Sequence, residues 1–412
     1  MVTEFNSKKS DCCGCSSCAQ ICPKKCIKMT ADEEGFLYPT VEKEICINCG
    51  LCEKNCPIIN TQPKLETVLS AYAGYVNDEN IRLNSSSGGL FTPLAEHILN
   101  NNGVVFGAAF DNKYHVKHIR IDSEEKLYLL RGSKYVQSDI NNTYVETKHD
   151  LENGKLVLFT GTACQISGLK CFLNKEYTNL FTVDVLCHGT PSPKLWERYV
   201  ENQSRQNKSQ IEQIFFRHKK YGWKRYAVEL KFLNSTAYLK EFKEDPFMRL
   251  FLGNICLRPS CYECKFKALQ RDSDLTIGDA WGINKVFPEL DDDRGTSVIL
   301  VHSDKGQELL KSISDNLILK EGNVEKLLPP STDSRISVKK HPKRNLFFKK
   351  LNEGKSCDVL LKCFFPKDSQ IKILARKIKN KIFRCAPALK LRKTNALKAA
   401  KQKKPTNNSN SE

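Results

Sequence analysis

Apolar runs and helical patterns alternate through the middle of the chain. Short runs rich in branched and aromatic residues predict buried strands over residues 69–75, 104–110, 155–160 and 180–186. Helices are predicted over residues 88–99 and 164–173, and an Asn-Asn-Asn-Gly turn at 100–103 closes the first of them. Strands that alternate with helices indicate an α/β body with a mixed or mostly parallel sheet.

Other segments depart from simple alternation. Residues 211–240 alternate between apolar and polar positions, as antiparallel strands do. Residues 119–121, 275–278 and 297–301 are predicted as further strands. The expected fold class is therefore α+β or α/β, with a mixed sheet in the body.

The first 57 residues contain ten cysteines, and eight of them form one pattern written twice. Each copy reads C-x2-C-x2-C-x3-C-P, the run of bacterial ferredoxins, in which the fourth cysteine ligates the other cluster. One predicted ligand set is Cys12, Cys15, Cys18 and Cys56, and the other is Cys46, Cys49, Cys52 and Cys22. The pattern predicts a ferredoxin domain with two 4Fe-4S clusters, through which electrons enter or leave.

Two other uses of cysteine fit this run less well. Zinc ribbons share C-x2-C pairs, but one tetrahedral zinc takes four ligands, and a duplicated run with proline after each last cysteine is a poor match. A disulfide framework needs an oxidising compartment, and the first residues, MVTEFNSKKSD, lack the apolar segment of an export signal. We therefore expect a cytoplasmic protein. Cys13 and Cys26 fall outside the pattern and are interpreted as spare thiols.

Length, composition and charge narrow the class of protein. A chain of 412 residues has room for two or three domains, and 40% hydrophobic with 27% charged residues is typical of a soluble protein. No stretch approaches the roughly 18 apolar residues of a membrane-spanning helix. The net charge of +18 suggests a nucleic-acid partner, but residues 339–404 hold 22 Lys and Arg against three acidic residues. The rest of the chain is nearly neutral, so nucleic-acid binding is not expected.

Three predicted strand-to-helix junctions carry candidate chemistry. Residues 85–89 (SSSGG) could cradle an anionic cofactor at a helix start, or could simply cap the helix. Cys164, in the first turn of a predicted helix, could be a cluster ligand or a thiol beside a flavin, or a small buried side chain. His188, which follows a predicted strand, could donate a proton or serve as a structural hydrogen-bonding histidine.

A third cluster inside the body is a further hypothesis. Cys261 and Cys264 form one more C-x2-C pair, which needs two other thiolates to hold a cubane. Cys164 and Cys187, both at predicted strand ends, are the natural candidates, and Cys256 is a reserve.

Several stretches, read in order, resemble the coenzyme F-420 hydrogenase/dehydrogenase β-subunit family. They are SSSGGLFTPLAEHIL at 85–99, RGSKYVQS at 131–138, LFTGTACQISGLKCFL at 158–173, TVDVLCHGTPSPKLWERYV at 182–200, FRHKKYGWKRY at 216–226 and RPSCYECKFKALQRDSDLTIGDAWGI at 258–283. The similarity spans residues 1–320. It includes the N-terminal cysteine-rich segment, because many members of the family carry a fused ferredoxin module.

The resemblance implies FAD in the body, with an iron–sulfur cluster of its own beside it on Cys164, Cys187, Cys261 and Cys264. The residues that match family motifs, and are therefore expected around the flavin or substrate, are Ser87, Gly88, Gly89, Ser133, Lys134, Tyr135, Thr162, His188, Lys219 and Asp279. Proline usually follows the position of Thr162 in such motifs, and Ala163 stands there in this chain. This departure can alter the turn but removes no reactive group.

The implied function is that of an iron–sulfur flavin-dependent oxidoreductase. Electrons would pass between the ferredoxin clusters and FAD, and on to or from a two-electron substrate such as a deazaflavin coenzyme or another organic molecule. His188 and Lys134 are predicted to deliver a proton and to stabilise reduced flavin. The expected partners are a redox partner protein or ferredoxin and the small-molecule substrate. A non-catalytic electron-transfer subunit of a larger redox complex and a reductase of surface-polysaccharide biosynthesis stay open as alternatives.

The predicted domains are a dicluster ferredoxin domain at 1–62, two parts of the body at 65–150 and 151–330, and a basic, partly disordered tail at 335–412. Within the tail, apolar residues recur at helical spacing; they are Ile371, Leu374, Ile378, Ile382 and Cys385. With lysine and arginine around them, such a helix could lie on the anionic inner face of a membrane, or it could be a solvated helix packed on the body.

Overall fold

The structure is a computed structural model that describes residues 8–60 and 68–366. The predicted helix over 371–385 and its membrane contact lie outside these residues. The described residues up to Leu361 form one compact unit, and a boundary between units follows Leu361. The predicted division into domains stays a prediction. In the described part of the chain no helix is long and apolar enough to cross a membrane.

The N-terminal cysteine-rich module is built from short elements. They are helix α1 (Ser17–Ile21), strands β1 (Ile27–Ala31) and β2 (Leu37–Val41), and helix α2 (Leu51–Lys54). The two strands pair antiparallel, and each helix follows a left-handed residue, Ser16 before α1 and Gly50 before α2. These sharp turns allow closely spaced cysteines to point towards one place.

The body contains eleven strands among the described residues. They are β3 (Ser70–Val76), β4 (Val104–Phe110), β5 (Val116–Ile121), β6 (Val157–Thr162), β7 (Leu180–Val185), β8 (Ile211–His218), β9 (Ala227–Phe232), β10 (Ala237–Glu241), β11 (Leu275–Asp279), β12 (Ser297–Val301) and β13 (Leu317–Glu321). Eight of them form one sheet in the order β13-β3-β12-β11-β7-β6-β4-β5, and β10-β9-β8 form a separate antiparallel sheet. The neighbours from β11 to β4 pair parallel and the outer ones antiparallel, which confirms the expected mixed-sheet fold class.

Helices connect and cover these strands. They are α3 (Glu79–Leu83), α4 (Phe91–Asn100), α5 (Thr143–Glu152), α6 (Ala163–Leu173), α7 (Pro193–Asn207), α8 (Pro246–Leu252), α9 (Asp304–Ser312), α10 (Val324–Leu327), α11 (Arg344–Asn352) and α12 (Cys357–Phe364). Helix α4 begins at Phe91 rather than at the predicted residue 88. The reason is that Gly88 is held between strands, since its N–H donates to Ser297 Oγ and its carbonyl accepts from Val76 N–H.

The large sheet is buried on both faces, and its strands alternate between the two cores. Val105 and Leu158 pack with α4 and α9 on one face, whereas Phe106 and Phe159 pack with α5 and α6 on the other. Because both faces are covered, the strands read as continuous apolar runs in the sequence. Each fully buried side chain of this kind contributes about 1.5–3 kcal/mol to stability.

Parallel pairing brings the candidate junctions together. Strands β6, β7 and β11 end at one edge of the sheet, at Thr162, Val185 and Asp279. Cys164 and Cys187 follow the first two strands, so both emerge at this edge. Open α/β sheets bind ligands at the carboxyl ends of their strands.

The cysteine-rich module packs tightly against the body. The guanidinium of Arg344, on α11, makes a buried pair with both carboxylate oxygens of Glu34. Gly168, on α6, allows a close approach, because a Cβ atom there would lie only 2.7 Å from Cys15 Cβ. The module and the body therefore share one buried interface, and it contains a predicted cluster ligand.

Candidate metal centres and cofactor cavity

The first predicted ligand set converges in the structure. Its members, all buried, line one small cavity of about 20 Å³; they are Cys12, Cys15, Cys18 and Cys56, named here the inner ferredoxin set. Burial raises the pKa of the Cys18 thiol, and the neighbouring Cys12 and Cys56 raise it further. Thiolates at this place therefore need strongly bound positive charge, which iron ions would supply.

The second set is closer to solvent. It consists of Cys22, Cys46, Cys49 and Cys52, named here the outer ferredoxin set. Cys49 is exposed, whereas Cys22, Cys46 and Cys52 pack beside the buried Cys26. Cys26 was interpreted as a spare thiol, but its Sγ lies 3.3 Å from Cys22 Sγ. Cys52 also acts electrostatically on Cys18, so the outer set adjoins the inner one.

Four more cysteines lie close together in the body. They are Cys164, Cys187, Cys261 and Cys264, named here the body set. Burial raises the pKa of Cys187, and charge on the other three thiols raises it further. Burial raises the pKa of Cys261 to about 11, and its Sγ accepts a hydrogen bond from Thr190 N–H at 3.3 Å. The spacing argument and the fold thus gather the same four thiols.

A single metal ion requires a tighter arrangement than these groups have. Within residues 8–60 and 68–366, no three Cys, His, Asp or Glu side chains are placed to hold one ion. A cubane cluster binds each thiolate to a different iron atom, so its cysteines lie farther apart than the ligands of one ion. The three cysteine sets therefore have to be judged by this wider spacing.

Cys13 connects the inner ferredoxin set to the body set. Its side chain contacts both Cys15 and Cys164, and it borders both the small cavity and a much larger one in the body. Cys13 was interpreted as a spare thiol because it falls outside the spacing of the ferredoxin run. The local sequence gives no indication of its contact with Cys164, because the two residues are distant in sequence.

The larger cavity lies at the carboxyl edge of the sheet and has a volume of about 930 Å³. Most of the predicted site residues line it; they are Ser87, Gly89, Ser133, Lys134, Tyr135, Thr162, Cys164, Cys187, His188 and Asp279. Small-molecule and cofactor sites commonly have volumes of about 300–1,000 Å³. The cavity is therefore large enough for a cofactor of considerable size, and cysteines of the body set form part of its wall.

One wall of this cavity combines the serine loop, residues 85–89, with the start of α4. Ser86 Oγ accepts a hydrogen bond from Ser133 N–H at 2.8 Å, and Ser87 Oγ donates to Thr296 O at 3.0 Å. The loop is thus fixed by its own hydroxyls, and none of the serine side chains of this loop caps α4. Gly89, Leu90 and Phe91 face the cavity, so the positive end of the helix dipole lies beside it. This arrangement suits an anionic group.

Lys134 is a half-buried cation that lines the same cavity. Its Nζ donates to the carbonyls of Leu129 and Arg131, at 3.0 and 2.8 Å. Burial lowers the pKa of Lys134 to about 7. The side chain can therefore exist in both protonation states near neutral pH, as a group that stabilises or protonates an anion requires.

His188 borders the cavity next to Cys187, but both of its ring nitrogens have partners. Nε2 lies 2.7 Å from Asn254 Oδ1 and Nδ1 lies 3.2 Å from Asp333 Oδ2. Burial lowers the pKa of the ring, while the hydrogen bond to Asn254 and the charge of Asp333 act in the opposite direction. Proton delivery by His188 stays a prediction, and it would require one of these partners to move.

A charged and aromatic cluster was missed by the sequence analysis. Arg217 is buried and donates to both oxygens of Asp279, at 2.8 and 3.1 Å, and to the Tyr135 hydroxyl at 3.2 Å. Asp279 also accepts from Trp223 Nε1 at 2.8 Å, and Trp281 stacks on Trp223 at 4.6 Å between ring centroids. The Asp279 carboxylate is thus fully engaged by protein, and Trp281 offers a half-exposed ring at the cavity.

His118 is a second residue that was missed. It is 2% exposed and borders the cavity; Nε2 lies 2.9 Å from Thr160 O, and the buried Nδ1 has no partner among the described residues. Burial lowers its pKa to about 4, so the ring is neutral at physiological pH. A single histidine inside a strand gives no signal of this kind in the sequence.

Comparisons with known proteins identify the family of this chain. Two family models described as coenzyme F420 hydrogenase/dehydrogenase, beta subunit, match the chain: the N-terminal model over residues 71–143 and the C-terminal model over residues 154–326. The chain belongs to this family. A 57-residue segment is 37% identical to an uncharacterised ferredoxin of Methanocaldococcus jannaschii, over 14% of this chain and 73% of that protein. The family and the ferredoxin relative identify a redox protein of the beta-subunit type with a ferredoxin-like region.

A solved structure also resembles this beta-subunit-type chain. It comes from the F420-reducing NiFe hydrogenase complex of Methanosarcina barkeri, with a TM-score of 0.43 and 17% sequence identity. The similarity covers 73% of this chain and 93% of that one.

Two of the family-motif residues lie behind the cavity wall in this beta-subunit-type chain. Gly88 is packed so closely that a Cβ atom would lie 2.6 Å from Gly74 O. Lys219 Nζ donates to the carbonyls of Arg82, Ser87 and Arg294, at 2.6–2.7 Å. Both residues therefore support the serine loop from beneath, and neither borders the cavity. Motif matching could not separate residues that face the cavity from those that hold its wall.

Proposed function

We propose that this protein is an iron–sulfur flavoenzyme. It passes electrons between two ferredoxin-type 4Fe-4S clusters, a third cluster in the body and FAD, and on to or from a two-electron organic substrate such as a deazaflavin coenzyme. One observation carries the proposal: the three cysteine sets follow one another from the exposed Cys49 to the wall of a cofactor-sized cavity. Such a series suits one-electron transfer between solvent and a buried site.

The burial of the cysteines supports an order of the three sets from solvent to the cavity. The outer ferredoxin set includes the exposed Cys49, whereas all four thiols of the inner set are buried. The inner set is followed by Cys13, which contacts Cys164 of the body set. A redox partner protein or ferredoxin would therefore meet the outer set, where Ile45 and Ile47 are also exposed.

The donors around the body set suit a cluster. Thr162 Oγ1 lies 3.1 Å from Cys164 Sγ, and Thr190 N–H donates to Cys261 Sγ. Hydrogen bonds to sulfur are among the factors that set cluster potentials. Helix α6 begins at Ala163, so Cys164 also lies in its first turn, where free N–H groups would face a bound cluster. The contact with Cys13 and burial raise the pKa of the free Cys164 thiol, so its thiolate needs bound positive charge.

The cavity suits FAD by its size and by the charge of its walls. The α4 N-terminus would face the phosphates, and Arg131 and Lys134 add positive charge to the same cavity. A bound flavin exchanges two electrons with organic molecules and single electrons with iron–sulfur clusters. Lys134, with a pKa of about 7, would hold or give up a proton beside the ring, and Trp281 would offer a stacking surface to a planar substrate.

The test is turnover by the isolated chain. The anaerobically purified protein is given a chemical one-electron donor and a deazaflavin coenzyme, and reduction of the coenzyme is followed by its absorbance. We expect continuous turnover that stops when FAD is removed and returns when FAD is added. If reduced, FAD-loaded protein transfers nothing to the deazaflavin or to other organic acceptors without a partner enzyme, the non-catalytic electron-transfer role replaces this proposal.

A further inference from the structure

Arg258 is the most deeply buried charge at the interface between the cysteine-rich module and the body. It is 1% exposed, and its guanidinium donates to Cys12 O at 2.8 Å, Gln137 Oε1 at 2.9 Å and Leu37 O at 2.9 Å. A fourth contact joins its Nη2 to Cys12 Sγ at 3.5 Å. The side chain thus points directly at the inner ferredoxin set.

No carboxylate balances this charge within the described ranges 8–60 and 68–366. The other buried arginines of the described body do have such partners: Arg344 pairs with Glu34, Arg217 with Asp279, Arg82 with Asp292 and Arg271 with Asp184. The groups that act electrostatically on Arg258 are Cys12, Tyr38, Cys13 and Cys261. A buried cation without a counter-ion is strongly unfavourable, so negative charge is expected at these thiols.

The same residue also adjoins the body set. Its carbonyl accepts a hydrogen bond from Cys261 N–H at 3.0 Å, and its own N–H donates to Thr190 O at 2.9 Å. Arg258 therefore fixes the turn that carries Cys261 while its guanidinium extends to Cys12. Gly14 leaves room for the Arg258 guanidinium, because a Cβ atom at Gly14 would lie 2.9 Å from Arg258 Nη1.

We propose that Arg258 is the fixed counter-cation of the cluster held by the inner ferredoxin set, and that it raises the reduction potential of that cluster. The inference rests on the proposed function. Reduction adds one electron to an already anionic group and makes or breaks no bond, and the electron comes from the one-electron donor. A cation in a low-dielectric interface stabilises the more negative, reduced state, and a donor to sulfur does the same.

The experiment compares Arg258→Met with Arg258→Lys in the full-length, anaerobically purified protein. Reduction potentials are measured by redox titration followed with electron paramagnetic resonance, and a Cys49→Ser background assigns the signal of the outer set. We expect R258M to lower the equilibrium constant for reduction of the inner cluster at least tenfold. For one electron, a tenfold change corresponds to a fall in reduction potential of about 59 mV. R258K keeps the charge, so its shift should stay below half of that. The outer cluster should not change.

A matched control removes a different buried cation from the same interface. The double variant E34Q/R344M eliminates the Arg344–Glu34 pair without a change in net charge, and it should leave the inner potential within threefold of wild type. An unchanged potential in R258M with full iron content overturns the proposal, and so does an equal shift in E34Q/R344M. If R258M loses the inner cluster, R258K decides: retained iron with a potential near wild type supports the counter-cation, and lost iron overturns it. Absence of iron from the wild type would instead refute the proposed function.

Discussion

Replacing Cys164 by serine will lower the iron content of the anaerobically purified protein by about four atoms per chain, the content of one cubane. Cys164 is contacted by Cys13 and lies within electrostatic reach of Cys187, Cys261 and Cys264, so its loss removes one of four expected ligands. The fold should persist, because the cap of α6 is made by Thr162 and Gln165, and a serine hydroxyl can replace the thiol beside the Thr162 hydroxyl. Iron analysis and the resonance signals of the remaining two clusters measure the effect.

Cys256 provides the control for this prediction. The sequence analysis kept it as a reserve ligand, but it is fully buried, and burial raises its pKa to about 12. C256A should therefore keep all of its iron. Unchanged iron in C164S, or an equal loss of iron in C256A, would contradict the assignment of the body set.

Replacing Lys219 by methionine will weaken the binding of FAD at least tenfold while the iron content stays unchanged. The Lys219 ammonium joins three backbone carbonyls beneath the serine loop. Each buried acceptor left without a donor costs about 1–3 kcal/mol, so the loop is expected to move and to change the cavity wall. A loss of about 1.4 kcal/mol in binding corresponds to a factor of ten.

The neighbouring Lys220 is exposed and gives a matched control, K220M. The dissociation constant of FAD is measured by titration of flavin-depleted protein, with the iron content determined on the same samples. Equal FAD affinity in K219M and wild type would show that the serine loop does not form part of the wall of the flavin site. Equal weakening in K220M would mean that a general charge effect, and not the support of the loop, is responsible.

The sequence predicted most of the strands, though not β13, because their physical signal is local. Strands β4 and β12 have the bounds that the apolar runs indicated, since a strand buried on both faces must be apolar throughout. The predicted start of α4 was wrong because Gly88 is held by a hydrogen bond to Ser297, which lies more than two hundred positions away in the sequence. A long-range hydrogen bond of this kind leaves no trace in a local pattern.

In the candidate site, too, local patterns were predicted from the sequence and long-range contacts were not. Regular spacing identified ten of the cysteines in the three sets, and their position at predicted strand ends identified Cys164 and Cys187. Parallel strands with a common edge explain why the body set and the cavity meet. Cys13, Arg217 and Arg258 were missed because their importance depends on partners from other segments. Arg258 lies within a family motif, but only the fold reveals that it is buried beside Cys12 with no carboxylate partner in the described part of the chain.

Cofactor content tests the central claim most directly. The full-length protein is purified without oxygen, and iron, zinc and flavin are determined per chain together with the visible absorption spectrum. The account predicts about twelve iron atoms, as three 4Fe-4S clusters require, and one FAD, with a flavin spectrum over a broad iron–sulfur shoulder. Zinc in place of iron, with no flavin, would contradict it.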